Sequence, residues 1–371
     1  MRLVLQNALV AVLISCGTQS IAAVWTVSNN PNRPAQFTTV QAAVNAASPN
    51  DTILITGGTY GWTNGQMTTT IPLVFYGEAA IAEEPFVRTR MQSVSWNFNR
   101  LNSSLSASGS RVYGIDFTST QIYTDGNFSG AQAGQRTMSD FIFERCSFSG
   151  SAGITVYAND GISDVLVRNC LFSGGYNSIN LQYTPATGII VTNCIFSGYA
   201  TSIYFGSANH NGNVLLRNNI FLSNTQSIFS SSTGAVNNVI VENNIFYKAE
   251  PTGLNGSTFN NNLTYLCNNN DLPYGTNFGS GNIVNENPDF VSYPALGADW
   301  ALTHDYALQA GSPAIGTGTN GVDMGINSGN APINQAVKFA KIPGVTVLDI
   351  PVSSVPVGGT LQIQIEAVSR D

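Results

Sequence analysis

The sequence predicts an all-β chain: a right-handed parallel β-helix, a solenoid with an N-terminal helical cap and a small C-terminal β appendage. Three observations predict it. Residues 141–148, 165–172, 189–196, 214–221 and 239–246 read FIFERCSF, VLVRNCLF, IIVTNCIF, VLLRNNIF and VIVENNIF, at offsets of 24, 24, 25 and 25. Self-similarity at a fixed period marks a repeat architecture. A second apolar run follows these segments at the same period: Ile154-Thr155-Val156, Ile179-Asn180-Leu181, Ile203-Tyr204-Phe205 and Ile228-Phe229-Ser230. Gly, Ser, Asn and Thr, all turn formers, fill the intervals. The segments are rich in Val, Ile, Leu and Phe and carry too little polar content for amphipathic helices, so each period is a coil of short strands. Each coil rises by about 4.8 Å and buries its interior against its neighbours. Parallel crossovers of this kind are right-handed.

Residues 1–23 read as an export signal. Arg2 is the only charge before Arg33, and residues 3–15 form an apolar stretch too short to span a bilayer. Two processing readings stand. Ser20-Ile21-Ala22 and Ile21-Ala22-Ala23 offer small residues for an ordinary signal peptidase, whereas Leu13-Ile14-Ser15-Cys16 resembles a bacterial lipobox that would lipidate Cys16. The chain is therefore expected to be secreted or at the cell surface, with a periplasmic or outer-membrane lipoprotein as the lipidated form. A lipid at Cys16 is its one expected link to a membrane.

The solenoid is expected over residues 24–335. Phe37, Val40, Val44 and Ala47 fall at helical spacing and predict one short amphipathic helix. Pro49-Asn50-Asp51 turns into Thr52-Ile53-Leu54-Ile55, and Gly57-Gly58-Thr59-Tyr60 follows. A solenoid end exposes apolar core and unpaired edges, and this stretch supplies the cover. It resembles the N-terminal cap of secreted bacterial parallel β-helix proteins of the pectin-lyase-like superfamily, which includes polysaccharide lyases. Asn287-Pro288-Asp289-Phe290-Val291, Trp300-Ala301-Leu302 and residues 307–323 (ALQAGSPAIGTGTNGVD) resemble the closing segment of the same proteins. The resemblance spans roughly residues 33–335 and supports the right-handed solenoid. Residues 336–371 differ in character. Stretches 344–350 and 359–368 alternate apolar and polar residues around Pro351, Pro356 and Gly358-Gly359, an antiparallel appendage too short to fold alone.

Aligning the coils places Cys146, Cys170, Cys194, Asn219 and Asn244 in one column. This is a structural ladder: amides hydrogen-bond from coil to coil, and Cys packs as a small hydrophobe. No metal role is expected for the thiols, which lack His or carboxylate neighbours at ligand spacing. A Cys146–Cys170 bridge is sterically open, though none is required.

Net charge is −7, the pI is 4.8, and charged residues make up 9% of the chain. Nucleic-acid binders need clustered Lys and Arg, so nucleic acid is excluded as a partner. A neutral polar surface of Asn, Ser, Thr and Gly suits an extracellular polysaccharide or cell-surface glycan.

The resemblance implies two possible chemistries. Lyases of the fold hold Ca²⁺ with clustered carboxylates and use an Arg or Lys as base; hydrolases place two carboxylates across the scissile bond. Neither pattern is visible here. No three Asp or Glu recur on successive coils, and paired-Asp, Gly-His-Gly and Arg-x-Lys signatures are missing. Catalytic residues thus stay unassigned, no metal or other cofactor is expected, and calcium enters only with a lyase reading.

Three places carry candidate residues. Glu144, Arg168, Thr192, Arg217 and Glu242 share a column beside Arg145, Asn169, Asn193, Asn218 and Asn243, and read as a solvated ion-pair strip. Glu78, Glu83, Glu84, Arg88, Arg90 and Arg100 concentrate charge around Trp96 and Phe98, as a catalytic loop or a solvated excursion would. The third place is the face of the second apolar run. If Ile154 and Val156 point inward, alternation turns Thr155, Tyr157, Asn180, Gln182 and Tyr204 outward, and Asp160, Tyr183 and His210 lie in the loops after them. Aromatic faces stack on the CH faces of sugars while amides bond their hydroxyls, so Tyr157, Asp160, Asn180, Gln182, Tyr183, Tyr204 and His210 form the candidate carbohydrate site. The expected function is a secreted or surface-attached protein that interacts with extracellular carbohydrate. The alternatives are a polysaccharide lyase or glycoside hydrolase with a diverged site, and a structural or adhesive surface solenoid.

One further expectation concerns packing. Leu166 and Leu171, Ile190 and Ile195, Leu215 and Ile220, and Ile240 and Ile245 fall outside the lumen in one strand phase. A branched stripe of that size calls for a cover: the tail 338–371, another loop, or a second copy.

Overall fold

The computed structural model describes the chain apart from residues 1–21, 62–65, 82–86, 94, 103, 127–134, 136, 158–159, 182–185, 206–213, 224–226, 232–235, 330–331, 334–343, 350–363 and 369–371. Most of the expected export signal, with Cys16, lies outside the described residues, and Ala22 and Ala23 lie within them. The rest is a right-handed parallel β-helix. Among the described residues its first sheet stacks ten parallel strands, from Val24–Val27 and Thr52–Ile55 through Ile162–Arg168 and Ala186–Thr192 to Thr258–Asn260. A sharp corner leads to the second sheet, which includes Ser147–Ser149 and Ile245–Tyr247. The third sheet includes Ser95–Asn99, Gln121–Asp125 and Gly153–Tyr157. The strands Leu171–Leu181 and Ile195–Phe205 run through the second and third sheets without a break.

The corner explains the sequence pattern. The last five strands of the first sheet are each followed by an asparagine with left-handed backbone: Asn169, Asn193, Asn218, Asn243 and Asn261 have φ between 52° and 56°. Asn tolerates that region better than most residues. The next residue then turns into the lumen. In that inner column Asn219 Nδ2 donates to Val191 O and Asn244 Oδ1, and Asn219 N donates to Asn244 Oδ1. Asn244 repeats the pattern on Leu216 O and Asn262 Oδ1, and Asn262 on Val241 O and Asn282 Oδ1. The cysteines make the same bonds more weakly. Cys170 Sγ lies 3.5 Å from Phe143 O and 3.3 Å from Arg168 O, and Cys194 Sγ meets Val167 O and Thr192 O. All three thiols are free. Beside them Phe117, Phe148, Phe172, Phe196, Phe221 and Phe246 stack ring on ring at 4.7–5.1 Å, close to the rise of one coil.

The N-terminal end is closed by the helix Val40–Ala46. Thr39 caps it by accepting from Ala42 N, and Val40, Ala43 and Val44 are buried against the first coils.

Half of the outer stripe has a cover, and it is not the tail. Leu171, Ile195, Ile220, Ile245 and Leu263 form a second core with Phe290, Tyr306, Met324, Ile326 and Ile333. Residues 313–329 form a strap that runs back along the corner toward the N-terminal coils. The left-handed asparagines grip it. Asn261 Nδ2 donates to Thr317 O, Asn243 Oδ1 accepts from Thr319 N, and Asn193 Nδ2 donates to Ile326 O and Ser328 O. Gly325 makes the closest approach. Its φ is +84°, and a Cβ there would sit 2.9 Å from Ile245 Cδ1. The other half of the stripe, on the first sheet, has no such cover among the described residues: Ile190 and Ile240 are 38% and 37% exposed. In the tail, Gly344–Asp349 and Gln364–Val368 pair as an antiparallel hairpin.

Candidate functional site

The third sheet presents its outer face as ordered columns. Met67, Trp96, Ile122, Ile154, Ile179, Ile203 and Phe229 share one register and fill the lumen. Alternation sends the next register outward: Thr68, Asn97, Tyr123, Thr155, Asn180, Tyr204 and Ser230. A second outward register holds Asn99 and Asp125, and the backbone of Tyr157 pairs with that of Asp125. Asn180 and Tyr204 therefore lie side by side, with Thr155 one coil before them, as the alternation predicted.

Thr155 and Asn97 are shielded by their neighbours, while Tyr123, Asn180 and Tyr204 stay half-buried. Thr155 Oγ1 reaches Gln121 Oε1 at 3.4 Å, and Gln121 Nε2 donates to Ser151 O, which fixes the polar surface around Tyr123. Tyr123 and Tyr204 stand three coils apart, about 14 Å at the usual strand spacing. Asp160 lies in the turn after Gly153–Tyr157 and is half-buried. Tyr157 continues the second outward register by its backbone, opposite Asp125. Gln182, Tyr183 and His210 lie outside the described residues. Tyr123, Gln121 and Asp125 were not among the candidates read from the sequence. The alternation in Gln121-Ile122-Tyr123-Thr124-Asp125 carries the signal, but it falls before the regular period begins.

The other two candidate places are structural. Glu144 and Glu242 are not a solvated strip: they are only 6% and 8% exposed. Arg168 Nη2 meets Glu144 Oε2 at 2.7 Å, and Arg217 pairs with Glu242, so the guanidiniums cover the carboxylates they neutralise. The segment around Trp96 contains the strands Thr89–Gln92 and Ser95–Asn99. Trp96 and Phe98 are lumen core and pack against Phe75. Arg90 Nε binds Asp116 Oδ2 at 2.8 Å, and Glu78 pairs with Arg33 while accepting from Gly57 N. Glu83 and Glu84 lie outside the described residues.

Cys146, Cys170, Cys194 and Cys267 are buried and free. Burial pushes Cys146 and Cys170 well above the usual thiol range and Cys267 up to about 11, so each is held as the neutral thiol. His304 is part of the aromatic cluster over the second sheet. Its ring meets Tyr293 edge-on, Nδ1 lies 3.2 Å from Tyr306 Oη, and burial lowers its pKa. Among the described residues no three His, Cys, Asp or Glu side chains gather as a metal site would require.

Residues 99–287, just over half of the chain, match the family described as "Right handed beta helix region". No curated protein matches the sequence. The chain is also similar to solved structures, among them two named for pectin and pectate. The pectin methylesterase from Aspergillus niger is 17% identical, with 71% of this chain and 88% of that one covered at a TM-score of 0.34. A pectate lyase, Pel9A, is 14% identical, with 82% and 96% covered at a TM-score of 0.37.

Proposed function

Since the chain belongs to the right-handed β-helix family, we propose that it binds a neutral extracellular polysaccharide or cell-surface glycan along the outer face of its third sheet. One observation carries the reading: the in-register outward column in which Tyr123, Asn180 and Tyr204 combine two aromatic rings with an amide. Sugars need that pairing of apolar face and hydrogen-bonding edge. Asp160, Tyr157, Gln182, Tyr183 and His210 belong to the same strands or to the loops leaving them, and flank the glycan in this reading. The strap covers the second sheet and the first is apolar and ion-paired, whereas the third turns aromatic and polar residues outward in register. A net charge of −7 favours an uncharged glycan over nucleic acid or a polyanion. Binding of this kind uses no metal or other cofactor. In this reading residues 1–23 act as an export signal, and the protein is secreted or held at the surface through a lipid at Cys16.

A glycan array probed with the full-length protein tests the proposal. Tyr204→Ala and Tyr123→Ala should each weaken the captured glycan at least tenfold, about 1.4 kcal/mol, while the melting temperature stays near wild type. An array with no captured glycan sinks the reading. Release of unsaturated product from any polysaccharide in the panel would replace it with a lyase.

A further inference from the structure

We propose that the C-terminal hairpin, Gly344–Asp349 with Gln364–Val368, docks on the outer face of the first sheet, over the column Ile142, Leu166, Ile190, Leu215 and Ile240. These five residues share one register on successive coils, and nothing among the described residues covers Ile190 and Ile240 as the strap covers the second sheet. The covalently attached hairpin fits the column in three respects.

Position comes first. The strap is held at Asn193 through Ser328 O, and Ile333 packs in the same cluster as Leu171. Asn193 is three residues beyond Ile190 on one strand-and-corner unit, and Leu171 is five beyond Leu166. The chain therefore leaves the strap at the rim of the first sheet, with residues 334–371 still to place.

Length comes second. The column spans four coil spacings, about 19 Å, and a six-residue strand spans about 20 Å. A hairpin laid along the solenoid axis crosses the strands of the first sheet nearly at right angles, one of the two common ways in which sheets pack.

Patterning comes third. In the hairpin Val345 lies opposite Ala367 and Leu348 opposite Ile365, with a bulge between Val345 and Val347. Ile365 and Ala367 are two residues apart and share a face, so all four positions share it. The other face holds Val347 with Glu366 and Asp349 with Gln364. An isolated two-stranded hairpin is marginal in water and needs a partner for its apolar face.

Hydrogen exchange on the full-length protein tests the docking. Amides of 344–349 and 364–368 should be protected in the wild type. Ile190→Asp and Ile240→Asp place charges on half-exposed positions and should speed their exchange at least tenfold, without slowing or hastening exchange in Phe290–Ser292. Leu215→Ser is the milder variant and should give an intermediate rate if an Asp variant fails to fold. Hairpin exchange that is equally fast in wild type and variants overturns the proposal. So does protection that grows with protein concentration, which would mean docking between copies. Because the column lies on a different sheet from Tyr123 and Tyr204, loss of glycan binding in the array leaves this test unaffected.

Discussion

Asn244→Ala perturbs the inner ladder at a rung whose side chain bonds to the coils on both sides. Asn244 Nδ2 lies 2.9 Å from Leu216 O, 3.0 Å from Glu242 O and 3.0 Å from Asn262 Oδ1, while its Oδ1 accepts from Asn219 N and Asn219 Nδ2 at 2.9 Å. The residue is fully buried, so no water replaces these partners. Truncation deprives the carbonyl of Leu216 and the amide of Asn219 of this partner in a dry lumen. Each such loss costs about 1–3 kcal/mol. With the small void left by the amide, the total is roughly 3–6 kcal/mol, a large share of the roughly 5–15 kcal/mol that holds a typical domain together. Guanidinium unfolding followed by circular dichroism measures the loss directly. Asn244→Cys is the companion variant. Cys170 and Cys194 already place a thiol near equivalent carbonyls, so Cys should recover part of what Ala loses. A loss below about 1 kcal/mol for Asn244→Ala, or no difference between Ala and Cys, would refute the view that this column bonds coil to coil.

Two more outcomes follow from named contacts. Gly325→Ala should destabilise the protein and increase dye binding, because a Cβ at φ +84° would press on Ile245 and lift the strap from the second sheet; unchanged melting and dye binding would count against tight docking. Asp51 contributes a pH dependence. Burial pushes its carboxyl up, but hydrogen bonds from Ser48 N, the Trp25 indole and Ala23 N outweigh that, so its folded pKa lies below the ordinary 3.8. Its stabilisation is therefore complete above that value and disappears as pH falls through the folded pKa. Asp51→Asn should be less stable than wild type at pH 7 and approach it at pH 2; a constant gap across that range would show that the charge is not responsible.

The solenoid was legible where its coils are regular. From Phe143 to Val167, in-register lumen residues are 24 apart. Earlier, Ile53, Phe75, Val112 and Phe143 occupy the same register at intervals of 22, 37 and 31, because the connections between coils vary in length. A search for a fixed period passes over them, and Tyr123 with them. Alternation alone placed Asn180 and Tyr204 on the outer face, since the side-chain period of a strand is 2 whatever the loop length. Burial of the ion pairs was not legible. Charge order along a column shows which groups can pair, whereas cover over Glu144 and Glu242 depends on how the arginine stems lie. The apolar stripe announced that something must cover it, but Met324 and Ile326 follow no period that names them as the cover. The signal lay in the left-handed asparagines, whose amides were free to hold a strap rather than water.

The strap also acts as a ruler. A repeat protein is ordinarily indifferent to its own length, since each coil meets only its neighbours and one can be gained or lost at little cost. Here Thr317, Thr319, Asp323 and Ser328 meet successive corners at Asn261, Asn243, Asn218 and Asn193. Deleting the coil of Asn218 would leave the strap one corner too long, with its apolar residues out of step with the stripe. The same tether links the last coils of the solenoid to its middle. They are closed off from fraying one at a time, and this part of the molecule should open in a single cooperative step.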